Sequence, residues 1–156
     1  MSTARRAMDT FGLERFLEAQ SGSYEQALHE LRAGEKRSHW MWFVFPQFDG
    51  LGASATSRLY AIRSIEEARE YLRHPILGPR LLECTKVVIG LAGRSAHQIF
   101  GSPDDMKFRS SMTLFELASE PASAFARALE NYFSGMRDAR TLELVRVASG
   151  GGAGTP

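Results

Sequence analysis

The sequence predicts an all-α fold, a single compact domain of about eight helices with short connections, and three observations predict it. Apolar residues recur at three- and four-residue spacing along most of the chain. Ser, Asp, Gly and Pro stand where such helices would start and stop. The nearest β signal, Val87-Val88-Ile89, is outweighed by the helical period around it.

The elements follow in order. Leu13, Phe16 and Leu17 make a short apolar face with Glu14, Arg15 and Glu18 turned outward. Ser23 reads as an N-cap with Gln26 closing a capping box; Tyr24, Ala27, Leu28 and Leu31 follow, and Gly34 stops the helix. The block from Ser38 to Pro46 is too apolar for an exposed face, and Pro46 ends it. A short buried helix is expected there, because no partner strand is visible elsewhere. Residues 47–57 read as loop, with Asp49, Gly50, Gly52 and Ser54 as turn formers. Ser64, with Glu67 as its box partner, caps a helix carrying Ala68, Tyr71 and Leu72 and closed by His74-Pro75. A longer helix with Leu77, Leu81, Thr85 and Val88 runs to near Gly93, and Ser95 opens a single turn to Phe100.

Ser102-Pro103-Asp104-Asp105 reads as a helix start, with a Ser cap, an early Pro and two carboxylates at the positive dipole end. That helix is expected to reach Ala118. Pro121 starts the next, with Phe125, Ala128, Leu129, Tyr132 and Phe133 as its core face, and Asp138 caps a last helix. The domain is thus expected over residues 9–148, and the Gly-rich stretch 149–156 is expected to be a flexible tail.

Bulk properties narrow the function classes. A chain of 156 residues fits one domain. Nineteen Lys and Arg against 18 Asp and Glu leave a net charge of +1, so no nucleic-acid partner is expected. Sixteen of the cations are Arg, a weak hint toward carboxylate or phosphate binding. The single cysteine, Cys84, lies among apolar helical neighbours and reads as a buried, inert thiol. No apolar run is long enough to span a bilayer, so no membrane partner is expected and a cytoplasmic location is the default. The four histidines are scattered, so neither a metal site nor a cofactor is implied. Gly-rich phosphate loops and a Gly-x-Ser-x-Gly elbow are absent too.

Two segments hold what helix building leaves unexplained. Between Ser38 and Ser54, His39, Trp40, Trp42, Phe43 and Phe45 crowd into seven residues, with Lys36 and Arg37 just before them. These aromatics serve a core, a planar ligand, or both on different helix faces. Between His97 and Thr113, Asp104, Lys107 and Ser111 fall on one helix face and Asp105 pairs with Arg109 at i, i+4. Ser110, Ser111 and Thr113 are poor interior helix formers, which asks for close packing or a polar pocket.

The leading expectation is a pocket between segments 38–54 and 97–113 for a small, planar, anionic, nucleotide-like metabolite. Trp40 or Trp42 would stack, His39 and Lys107 would meet negative charge, and Gln47, Ser54 and Ser111 would orient the ligand. A hydrolase acting on an N-glycosidic or related bond, with Asp105 or Asp104 as acid/base, is one alternative. A protein–protein adaptor whose aromatics form a groove is another, its partner unnamed.

The string His39-Trp40-Met41-Trp42-Phe43-Val44-Phe45-Pro46-Gln47 and the later Phe100-Gly101, Asp105, Lys107 and Ser110-Ser111-Met112-Thr113-Leu114-Phe115 resemble the bacterial family known as domain of unknown function 1810. The resemblance runs from about Leu13 to Thr141 and implies a small, mainly helical protein without an established activity. The label calpastatin sometimes attached to the family implies protease inhibition. A folded domain gives that label no physical support.

Overall fold

The computed structural model describes residues 9–150 apart from Ala92, so the expected tail lies almost wholly outside the described residues. Within them the fold is all-α, as the periodicity predicts. Ten helices are described: α1 Glu14–Gln20, α2 Tyr24–Arg32, α3 Met41–Val44, α4 Ala55–Leu59, α5 Ile65–Arg73, α6 Leu77–Ile89, α7 Ala96–Phe100, α8 Asp104–Leu117, α9 Ala124–Phe133 and α10 Ala139–Ala148. The surplus over eight comes from one-turn pieces. One of them, α4, starts inside the expected loop because the Ser54 hydroxyl accepts the Ser57 N–H at 3.1 Å.

Helix α8 is the hub. All six residues from Ser110 to Phe115 are buried, so the helix is covered on every side through its middle. Its hydroxyls answer for most of the anomaly in the sequence. Ser110 donates to the Met106 carbonyl at 3.1 Å, and Thr113 donates to the Arg109 carbonyl at 2.8 Å. Thr113 also accepts the Asp138 N–H at 2.9 Å, which ties the start of α10 to the hub.

Aromatic rings fill the space around α8. Phe108 stacks on Phe100 at 4.6 Å between ring centres and meets Phe45 edge-on at 5.1 Å. Phe115 joins Tyr71 at 5.4 Å, which packs edge-on against Phe16 at 5.1 Å. Such edge and offset geometries stabilise beyond the area they bury.

Four sequence readings change. Ser23 makes no side-chain cap, and Gln26 instead donates to the Glu30 carboxylate at 2.7 Å. Ser64 does cap α5, but Glu67 does not close the box. Its carboxylate accepts the Arg63 N–H at 2.9 Å and pairs with Arg15 at 2.7 Å. Ser102 does not cap α8, whose first turn uses the Asp105 carboxylate on the Met106 N–H at 2.8 Å. The helix expected from Pro121 begins only at Ala124, where Ser123 caps it.

Arg15 is a second organiser. Its guanidinium donates to the carbonyls of Phe11, Gly12, Leu59 and Ala61 and to Glu67, joining α1, α4 and α5. This fully used fork has no lysine equivalent. Arg15→Leu leaves Glu67 with the Arg63 N–H but without its counter-charge, takes the guanidinium from four carbonyls, and should lower the urea-unfolding free energy by about 3–5 kcal/mol. A loss below about 1 kcal/mol would show that water replaces the fork.

Candidate functional site

The site begins with a carboxylate that reaches almost no water. Glu30, on α2, is 2% exposed. Its Oε1 accepts the Arg37 and Ser38 backbone N–H groups at 2.8 and 3.0 Å and the Trp40 indole at 2.8 Å. Its Oε2 accepts from Gln26 at 2.7 Å and from the Ser38 hydroxyl at 2.5 Å. Burial pushes this carboxyl upward, but the donors of Ser38, Arg37, Gln26 and Trp40 outweigh it and hold the pKa at about 2. The stretch before α3 is therefore pinned to α2, and α3 shrinks to the single turn after Trp40.

Pinning that stretch positions Lys36 beside Lys107 of α8. The Lys36 N–H donates to the Ile99 carbonyl at 2.7 Å, and its ammonium meets Asp104 Oδ2 at 2.7 Å. The same ammonium lies 5.2 Å from the centre of the Trp40 ring. Lys107 repeats the pattern one turn along α8. Its ammonium is 3.5 Å from Asp104 Oδ1 and 5.2 Å from the centre of the Trp42 ring. Two lysine–indole contacts thus share one carboxylate, and the pairing is unequal. Lys36 is 7% exposed and tightly held, whereas Lys107 is 28% exposed and more loosely held.

Trp42 also walls a cleft with Gln47, Gly50, Leu51, Gly52, Ser57 and Tyr60. Its volume is about 10 Å³, room for a single water. Phe48 forms its inner end, where a lone β-bridge to Ile62 joins the chain after Pro46 to the chain before α5. Tyr60 closes one side and meets Phe43 edge-on at 5.4 Å.

The structure brings together Trp42, Gln47, Lys107 and Asp104 of the residues singled out from sequence. His39 is exposed on the same segment, beside the pinned stretch. Ser54 is exposed at the cap of α4, 3.0 Å from the Ser57 hydroxyl, and Ser57 rather than Ser54 lines the cleft. Trp40 is 1% exposed and belongs to the core. Ser111 is fully buried, and among the described residues its hydroxyl is the buried side-chain atom without a partner.

The two aspartates separate. At about 100° per residue, Asp105 sits about 200° around α8 from Lys107. It faces His97, whose Nδ1 is 3.5 Å from its carboxylate. Its expected partner Arg109 turns instead to the carbonyls of Met136 and Arg137, at 2.8 and 3.0 Å. Sequence reasoning passed over Ser57 and Tyr60, which carry no local mark of a site. Lys36 it noted in a charge cluster with Arg37 and His39, read as a solvated face or a small anion site. Cys84 is buried and its thiol is pushed up to about 12 by that burial, in keeping with an inert role. Among the described residues no group of His, Cys, Asp and Glu could hold a metal ion, and no helix is long and apolar enough to cross a membrane.

Fold and site together define a small all-helical domain with a narrow, aromatic-walled cleft at Trp42, whose ring also meets Lys107 of the central helix. The chain belongs to the family described as protein of unknown function (DUF1810), whose model matches residues 10–145. It is similar to the crystal structure of the conserved hypothetical protein Rv1873 from Mycobacterium tuberculosis. The two share 52% identity over 88% of this chain and 98% of that one, with a TM-score of 0.86. No curated protein matches the chain.

The pH dependence of Glu30 follows from its lowered pKa. Its contribution to stability is complete above the unfolded value of about 4.3 and is lost as pH falls through about 2. Glu30→Gln should lower the unfolding free energy near pH 7 by about 3 kcal/mol, on the scale of that shift. Urea titrations at pH 7, 4 and 3 should show this gap constant above about pH 5 and narrowing below it. A gap that does not change with pH would rule the charged anchor out.

Proposed function

We propose that this chain is a binding domain for a small, planar, anionic metabolite of nucleotide-like chemistry, received between segments 38–54 and 97–113. The observation that carries the reading is the unequal pairing of the two lysines. Asp104 is taken up by Lys36, which leaves the Lys107 charge only partly balanced beside the half-buried Trp42 ring. A flat anion placed there would gain stacking from the indole and charge from the ammonium. Gln47 and Ser57 supply polar contacts from the cleft wall, Ser54 stands beside Ser57, and His39 is exposed on the segment that carries Trp42. Trp40 and Ser111 serve the reading from below, as parts of the packed support.

The hydrolase alternative draws less support. Asp104 lies between two ammonium groups, and Asp105 lies on another side of α8 with His97. For the adaptor alternative, the exposed Leu59, Ile76, Met106, Met136, Leu142 and Val147 come from several separate elements. A cytoplasmic setting fits a single buried thiol.

A thermal-shift and native mass-spectrometry panel of nucleotides, nucleosides and sugar phosphates tests the reading. A ligand at 100 times its dissociation constant adds about 2.7 kcal/mol of stability. The expected result is a hit among anionic nucleotides that is lost in Trp42→Ala and in Lys107→Ala and kept in Asp105→Asn. Hits that both alanine variants leave intact would overturn the site, and a panel without hits would overturn the ligand class.

A further inference from the structure

We propose that residues 49–54 form a lid over the Trp42 cleft, latched shut by Leu144 of α10. The purpose of the lid rests on the ligand reading above, while its motion does not. Sites for metabolite-sized ligands enclose roughly 300–1,000 Å³, whereas this cleft holds about 10 Å³. A ligand larger than water can be enclosed there only if a wall moves. Five of the eight lining residues are tied elsewhere: Trp42, Gln47 and Phe48 follow the pinned stretch, with Phe48 bridged to Ile62, and Ser57 and Tyr60 lie on α4 and at its end, where Tyr60 packs on Phe16 and Phe43.

The remaining wall is residues 50–52, and it is held differently. Both ends of the segment are anchored. The Asp49 N–H donates to the Ile62 carbonyl at 2.9 Å, and Arg58 donates to the Ala53 carbonyl at 2.5 Å beside the Ser54 cap. Between those anchors, among the described residues, the N–H groups of Gly50, Leu51, Gly52 and Ala53 donate to no protein group. Apolar contacts alone hold the middle, and a segment held that way opens before the rest of a domain does.

The chief contact is at Gly50. Its φ of +105° needs glycine, and a Cβ there would lie 3.1 Å from Leu144 Cδ2, so the leucine seats directly on the bare backbone. Helix α10, which carries that leucine, has Thr141 as its one buried residue among those described and is held at its start by the Asp138 N–H on Thr113. Gly52 faces Ser57 in the same fashion, where a Cβ would come within 2.6 Å of the hydroxyl. Leu51, half-buried, packs against the core and closes the cleft from outside. Moving residues 50–52 off Leu144 therefore unlatches the lid, and the cleft opens onto Trp42 while α10 stays tied to α8 through Asp138 and Thr113.

Acrylamide quenching of tryptophan fluorescence tests the device. Trp40 is shielded in the native fold, so quenching reports on Trp42. Leu144→Ala should raise the quenching constant about twofold or more over wild type, with near-ultraviolet circular dichroism and cooperative unfolding retained. If Leu144→Ala fails to fold, the smaller truncation Leu144→Val reads the same opening. Unchanged quenching in the folded variants would overturn the lid. Adenosine monophosphate, as the planar anionic probe, separates the two proposals. Raised quenching with no binding to either protein keeps the lid and removes nucleotide binding. Binding with unchanged quenching does the reverse.

Discussion

A single buried carboxylate sets the geometry on which the candidate site depends. Glu30 gathers two backbone N–H groups, a hydroxyl, an amide and an indole, and so fixes the path of the chain from Arg37 to Trp40. An ionised group out of water is tolerable only when its lone pairs are met, and here five donors meet them. The consequence is directional. The chain leaves α2 pinned, enters α3 at a determined angle, and delivers Phe45 to the core and Trp42 to its edge.

The lysines follow from that constraint. Lys36 lies immediately before the pinned residues, so its backbone reaches α7 and its ammonium reaches the start of α8. Asp104 then has two cations within reach, and α8 places the second, Lys107, against Trp42. Charge is nearly balanced at the buried end of this arrangement and unbalanced at its exposed end. An ammonium with a full partner has less charge left to offer an anion than one loosely paired.

Much of the fold was legible because helix signals are local. The apolar spacing of Tyr24, Ala27, Leu28 and Leu31 and the caps at Ser64, Ser95 and Asp138 act within a few residues, and the structure uses each. Illegible were the features made by distant residues. Gln26 leaves its box for Glu30, and Glu67 leaves its box for Arg15, because a buried charge outbids an exposed cap. The hydroxyls of α8 looked functional, yet Ser110 and Thr113 answer to backbone carbonyls in a crowded helix. At the site, the convergence of Trp42, Gln47 and Lys107 could be guessed from surplus residues. Nothing near Tyr60 or Ser57 announced them, since both reach the cleft through the Phe48–Ile62 bridge and the turn of α4. The choice between Asp104 and Asp105 needed the helix phase relative to Lys36, a tertiary quantity.

The claim that Glu30 positions the whole aromatic segment has a direct measurement. Two-dimensional nitrogen–proton spectra resolve the two indole N–H groups, of which Trp40 touches Glu30 and Trp42 does not. In Glu30→Gln, compared with wild type at neutral pH, both resonances should move and the Trp40 proton should lose its protection against exchange. A Trp42 resonance that stays in place while Trp40 shifts would contradict the account, because the cleft would then be built independently of the carboxylate beneath it.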